Sequence, residues 1–309
     1  MNSMKTIEDG RKFLNKTIDR IQQGDSQRAL DGLFGGLLDL REQLPLDQWK
    51  RFSKETAIEH PLRELIHQDP MTRRSFDKPR GYAGDAVLLD FIYGISGPDQ
   101  GQSVGADVYQ FAAGRPAAEG VRRRRQLIAE KIDELQSDRD IPLSMLSIAS
   151  GHLRELEQSA ACKQGRIREF IALDSDPESC AHVSNQFPWI EVINSPFISL
   201  FRDEGMNQRF DFAYSAGLYD YLDERVGKKL TRRMFEMLAP GGTLLITNFL
   251  PTVVDAGYME TYMGWDLIYR DLPELESLAN GIASESIESL NSSADSQRSI
   301  GYLEIKKKG

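Results

Sequence analysis

Gly151 and Asp174 are the residue pair best placed to do chemistry. The run LSMLSIASG, Leu143 to Gly151, is an apolar strand-like stretch that closes on a small-residue turn. A second strand-like run, Glu169 to Leu173, closes on Asp174. A strand, a glycine turn, a helix-like stretch (LRELEQSAACK) and a strand ending in an acid form the layout of a nucleoside-binding βαβ unit. In that layout the turn at Ser150 and Gly151 lets backbone N–H groups approach the ligand. The Asp174 carboxylate can then accept hydrogen bonds from both ribose hydroxyls. The turn, Ser147-Ile148-Ala149-Ser150-Gly151-His152, carries one glycine, so an ordinary βαβ turn is the competing reading. For Asp174 the competing role is helix N-cap, since Ser175, Asp176 and Pro177 follow.

Other chemistry-bearing residues gather elsewhere. The loop Lys78-Pro79-Arg80-Gly81-Tyr82-Ala83-Gly84-Asp85 packs two glycines, two cations, an acid and a tyrosine into eight residues. That is the composition of a functional loop rather than of packing. Tyr82 and Asp85 are expected to line an active site, and Arg80 to pair with a carboxylate bidentately. Ser215, Ala216 and Gly217 end a strand-like run, with Tyr219 and Tyr221 just beyond, at the edge where open α/β sheets hold ligands. Asn248 and Phe249 end another. Tyr258, Tyr262, Trp265, Tyr269 and Arg270 crowd the segment after it. Core packing is the plain reading of such a stripe, but its polar tips suggest that Asn248, Tyr262 and Arg270 shape a substrate site. Neither Cys162 nor Cys180 has a Cys or His at metal-ligand spacing, so no metal site and no disulfide framework is expected.

The elements that must position these residues follow from the patterning. Residues 1–70 show apolar residues at helical spacing (Ile7, Phe13-Leu14, Ile18, Ile21; Leu30, Leu33-Phe34, Leu37-Leu38), broken at Pro45 and Pro61. Residues 71–85 read as a turn-rich loop, 94–105 as a Gly-rich break, and 106–138 as helix. From residue 142 strand-like runs alternate with helices: 143–149, 169–174, 190–194, 210–215, 242–248, about 282–290 and 301–306. Alternation of this kind predicts a doubly wound, mostly parallel sheet. The expected organisation is a helical cap or lid over residues 1–140 and a Rossmann-like domain over 141–309.

Composition narrows the partners. The 309 residues are 40% hydrophobic and 28% charged, with a formal net charge of −9. An acidic chain of that kind is repelled by a phosphate backbone, so no nucleic-acid partner is expected. The run Arg122-Arg123-Arg124-Arg125 lies in a helical pattern with Glu119, Glu130 and Asp133 and reads as a solvated helix face. The N-terminus is polar and no stretch is apolar enough to span a bilayer, which predicts a cytoplasmic protein. The oligomeric state is not legible.

The segments SIASG, ALDSD, NSPF, FDFAYSAGLYDYL and LAPGGTLLITNF, in this order, resemble the class I S-adenosylmethionine-dependent methyltransferases over roughly residues 140–309. Leu238-Ala239-Pro240-Gly241-Gly242 resembles the turn entering that family's fifth strand. KPRGYAGD (78–85) and MGWDLIYRD (263–271) extend the resemblance from about His60 to a bacterial subfamily of extracellular-factor proteins that make 3-hydroxy-fatty-acid methyl esters. The resemblance implies a seven-stranded sheet with the last strand antiparallel, a helical N-terminal cap, and S-adenosyl-L-methionine as cofactor. It places Ser150, Gly151, Asp174, Asn194, Ser215, Gly217 and Tyr219 around that cofactor, with Asn194 at the adenine. Ser147 stands where the family usually has an acid, and His152 near a usual glycine.

A sulfonium cofactor carries its own driving force, so the protein must bind it, align it with a nucleophile and exclude water. Tyr219 and Tyr221 could face the sulfonium by cation–π attraction, and Asp85 could take the cofactor's amino group. The leading expectation is methyl transfer to a small molecule, with a hydroxy fatty acid's carboxylate as the acceptor the subfamily implies. Rival expectations are cyclisation of S-adenosylmethionine to azetidine-2-carboxylate and methylthioadenosine on the same fold, and a non-catalytic sensor motivated by the altered first loop. NAD-dependent hydride transfer fits the glycine pattern less well.

Overall fold

The computed structural model describes residues 6–98, 103–202, 206 and 209–309. Residues 99–102 of the Gly-rich break and the first five residues of the polar N-terminus lie outside them. The chain divides into two compact units. One is Met1–Val121 with Val253–Asp266, and the other is Arg122–Thr252 with Leu267–Gly309. The division therefore falls inside a helix rather than near residue 140, and a later segment belongs to the helical unit. A helix looks the same in sequence on both sides of such a boundary, so periodicity cannot mark it.

The first unit is helical: α1 (Ile7–Gln22), α2 (Ser26–Gln43), α3 (Pro70–Asp77), α4 (Ala86–Ile92), α5 (Val104–Ala113) and the start of α6 (Pro116–Ser137). The tip of the Phe13 ring of α1 abuts Gly36 of α2; a Cβ there would sit 2.4 Å from the ring. The segment 253–266 is tied into this unit. Tyr258 stacks on Phe34 with centroids 4.0 Å apart. Glu260 accepts from Trp49 Nε1–H at 2.7 Å and Arg41 Nε–H at 2.8 Å. The stretch expected as loop from residue 71 opens as helix α3. Its start is set by Asp69, whose carboxylate accepts from the Met71 and Thr72 N–H groups at 2.9 and 3.0 Å, with Pro70 in the first turn. The cap outweighs a body, TRRSFD, that has no apolar period.

The second unit is built on seven strands: β1 (Leu143–Ile148), β2 (Ile167–Asp174), β3 (Glu191–Asn194), β4 (Phe210–Ser215), β5 (Leu238–Phe249), β6 (Ile287–Ala294) and β7 (Ile300–Lys307). Their order is β3-β2-β1-β4-β5-β7-β6. β1 through β5 pair in parallel, while β7 runs antiparallel to both β5 and β6. This is the expected doubly wound, mostly parallel sheet with its last strand reversed. Every residue of β1 is buried, as a central parallel strand covered on both faces requires. Between strands run α7 (Pro177–Gln186) and α8 (Glu224–Met237), capped by Asp176 and Asp223.

Three local expectations change. The helix expected directly after Gly151 is a series of turns, and only Ala160–Lys163 is helical there. Ala149, Gly151 and Leu153 all have left-handed φ (54°, 57° and 52°), which a helix cannot accommodate. The LAPGG turn is a bulge inside β5. Phe210 pairs with Leu238 and Phe212 with Thr243, so residues 239–242 stand opposite the single Asp211, with Gly241 at φ 76°. The sixth strand starts at 287, after a 3-10 turn at Ser284–Ser286.

Candidate functional site

In the second unit the carboxyl edge of β1 and β2 is held together by Asp174. Gly151 N–H donates to Asp174 Oδ2 at 2.8 Å, and Asp176 N–H donates to Oδ1 at 2.9 Å. The Ser150 N–H reaches the Leu173 carbonyl at 3.3 Å. The competing cap role belongs to Asp176, whose carboxylate accepts from Glu178 N–H at 3.2 Å and Ser179 N–H at 3.1 Å. Asp174 is 5% exposed. Burial pushes its carboxyl pKa up, and the N–H bonds from Asp176 and Gly151 pull it back. A carboxylate has about four acceptor sites, and the N–H groups of Gly151, Asp176 and Ser175 all bear on this one. Asn194, paired with Asp174 in the sheet register, spends its Nδ2 on the Asp174 carbonyl at 3.1 Å and on Cys180 Sγ at 3.4 Å. Its Oδ1 takes part in neither bond.

At the end of β4, Ser215 Oγ donates to the Ile148 carbonyl of β1 at 3.0 Å and is fully buried, so it locks the two central strands side by side. Gly217 follows, partly exposed. Tyr219 corrects an expectation: its ring is fully buried in the core and its hydroxyl lies 3.0 Å from Thr231 Oγ1. The ring packs inside the sheet–helix layer instead of facing a sulfonium. Tyr221 is exposed.

Asn248 and Arg270 correct another. Arg270 donates to Asn248 Oδ1 at 2.6 Å, to the Tyr219 carbonyl at 2.7 Å and to the Leu222 carbonyl. Asn248 Nδ2 donates to the Phe249 and Ile268 carbonyls, both at 2.9 Å. Both side chains are buried. They latch the loop after β4 to the end of β5, and their hydrogen-bonding groups are consumed by protein.

In the first unit, the loop 78–85 leaves α3 through Lys78, which is left-handed at φ 49°. Gly81 at φ 88° makes the next turn. Asp85, 1% exposed, accepts Leu88 N–H at 2.8 Å as the N-cap of α4 and takes Arg74 bidentately at 2.9 and 2.7 Å. Its oxygens are committed to a cap and an ion pair, so a role as proton acceptor is withdrawn. Arg80 and Tyr82 are partly exposed. Tyr262 is fully buried; its hydroxyl has no hydrogen-bond partner among the described residues, and burial pushes the phenol pKa up.

No protein-family model matches the sequence, and no curated protein matches it. Solved structures do match. A candidate exported protein from Bordetella parapertussis aligns with a TM-score of 0.60 at 15% identity, over 80% of this chain and 93% of that one. A candidate methyltransferase from Thermobifida fusca YX aligns at 0.52 and 16% identity, over 72% and 94%. The CurJ carbon methyltransferase aligns at 0.50 and 11% identity, over 84% and 69%. The chain has the class I methyltransferase fold. At such identities the likeness is one of fold, and the chemistry has to come from the residues.

Sequence reasoning missed residues of this fold's ligand edge. Asp220, buried between Tyr219 and Tyr221, accepts Phe249 N–H at 2.7 Å, and burial pushes its carboxyl up to about 7. An acid flanked by aromatics in GLYDYLD was the available signal. Glu155, in the segment read as helix, is buried and accepts the Tyr214 hydroxyl at 2.6 Å. Arg124 was assigned to a solvated face but is buried. A four-arginine run gave no indication of which member turns inward. Among the described residues no group of His, Cys, Asp and Glu could hold a metal ion, and no helix is long and apolar enough to cross a membrane.

Proposed function

We propose that the protein is an S-adenosylmethionine-dependent methyltransferase acting on a small molecule. The observation that carries this is Asp174 at the carboxyl end of β2, bonded to the N–H of the left-handed Gly151, on the class I methyltransferase fold. When bound, S-adenosylmethionine supplies an activated methyl group on a sulfonium, which leaves as a neutral thioether. The chain's own contributions are binding and orientation. Asp174 would take the ribose hydroxyls, the Ser150–Gly151 turn would let backbone approach, and the Asn194 carbonyl would accept from the adenine amino group. Gly217 would leave the end of β4 open.

For the acceptor, the subfamily resemblance supports a carboxylate of a hydroxy fatty acid, which is already ionised and needs no general base. Arg80 and Tyr82 are the proposed acceptor-handling residues of the helical unit. A cytoplasmic location is part of the same proposal, supported by two free cysteines, Cys162 and Cys180.

Incubating the protein with S-adenosylmethionine, with and without 3-hydroxydecanoate, and identifying the nucleoside product tests the reading. S-adenosylhomocysteine formed only with acceptor, together with the methyl ester, is expected. Methylthioadenosine formed without any acceptor would replace methyl transfer with cyclisation. No binding of either nucleoside by calorimetry would leave only a degenerate site.

A further inference from the structure

Arg124 of α6 is 4% exposed. A guanidinium has five N–H donors and is charged at every physiological pH. No oxygen among the described residues accepts a hydrogen bond from it. Two carboxyls act on it through space, and both are otherwise engaged: Glu155 with the Tyr214 hydroxyl at 2.6 Å, and Asp220 with Phe249 N–H at 2.7 Å. Burial pushes both carboxyls upward. A buried cation with unused donors is costly unless an anion completes it.

The position of the charge indicates where such an anion would lie. A Cβ at Gly217 would meet Arg124 Nη1 at 3.6 Å and Nη2 at 3.9 Å before any other atom. The open fork of the guanidinium therefore sits beside a residue with no side chain, immediately past the carboxyl end of β4. That is the edge where open α/β sheets hold ligands. Any larger residue at 217 would cover the fork.

We propose that Arg124 is an anion clamp that receives a ligand carboxylate at the carboxyl edge of β4, resting for the ligand's identity on the S-adenosylmethionine reading above. Planar, two-pronged donation matches the two oxygens of a carboxylate. Two carboxylates are available on that reading: the amino-acid end of the cofactor and the acid of the acceptor.

Calorimetry on the whole chain separates them, using wild type, Arg124→Met and Arg124→Lys. The probes are S-adenosylhomocysteine, methylthioadenosine (the same nucleoside thioether without a carboxylate), and 3-hydroxydecanoate added to protein saturated with S-adenosylhomocysteine. Arg124→Met is expected to bind S-adenosylhomocysteine about 10- to 100-fold more weakly and methylthioadenosine as wild type does. Loss confined to 3-hydroxydecanoate assigns the carboxylate to the acceptor and still supports the clamp. Circular dichroism melts check folding. If the Met variant does not fold, Arg124→Lys replaces it, with an expected loss of about 3- to 10-fold for S-adenosylhomocysteine because the fork is gone. A folded variant that binds all three probes as wild type does overturns the clamp alone. Wild type binding neither nucleoside overturns the cofactor reading and the clamp with it.

Discussion

Asp174 and Asp220 are acids of the same sheet edge in opposite situations. Asp174 accepts a backbone N–H on each oxygen, whereas Asp220 is enclosed with a single N–H bond from Phe249. Charge-assisted bonds from a ribose diol to Asp174 would contribute about 1.5–3 kcal/mol each. Asp174→Ala is accordingly expected to weaken S-adenosylhomocysteine binding by about 100-fold or more in calorimetry while the protein stays folded; unchanged affinity would remove the ribose role. Asp174 was legible in sequence because an acid closing the second strand of a βαβ unit is a local pattern. Arg124, Asp220 and Glu155 were not, since nothing local distinguishes a charged residue that folds inward from one that stays solvated. Asn248, Arg270 and Tyr219 were overread for the converse reason: polar tips near an expected ligand edge proved to be satisfying the fold's own carbonyls and core.

At the scale of elements, the loop 78–85 is a structural junction as well as a candidate for function. Asp85 begins α4 and holds Arg74 of α3, so the two helices are joined through one carboxylate. Asp85→Ala removes a helix cap and leaves the partly buried Arg74 without its ion-pair partner, and is expected to destabilise the protein by about 2–4 kcal/mol in thermal or denaturant unfolding. Asp85→Asn keeps an acceptor for Leu88 N–H and should lose about half of that. A folded Asp85→Asn variant that still turns over substrate is the expected result if Asp85 serves structure alone. Strands were read more accurately than helices. β1, β2 and β4 announce themselves as apolar runs because both faces of a central parallel strand are buried. The stretch after Gly151 has helix-forming composition, but the buried Glu155–Tyr214 contact and three left-handed residues turn it into loops. The cap that starts α3 was visible as Asp69-Pro70, and the absence of an apolar period behind it concealed the helix.

For the whole molecule, buried acids set a pH dependence. Burial raises Asp220 to about 7 and Asp69 to about 6, against an ordinary value of 3.8. Each binds its proton more tightly folded than unfolded. Its stabilising contribution is therefore complete below about pH 4 and is lost as pH rises through 6 and 7. Asp220→Asn keeps an acceptor for Phe249 N–H and cannot ionise. Its melting temperature is expected to exceed that of wild type by about 2–6 °C at pH 8, with the gap closing toward pH 5; a gap independent of pH would show that Asp220 ionises freely. Taking the difference between the two proteins cancels His60 and the partly buried His67, whose lowered pKa values act in the opposite direction. The alternation of strands and helices from residue 142 was enough by itself to determine a doubly wound sheet and to place Gly151 and Asp174 at its carboxyl edge, because strand period and turn chemistry are local properties of a chain. Tertiary structure decided which charges are buried, that 253–266 belongs with the helices, and that Arg124 lies beside Gly217 with its donors unused. Those facts depend on which distant segments pack together, and no periodicity within a single segment records that.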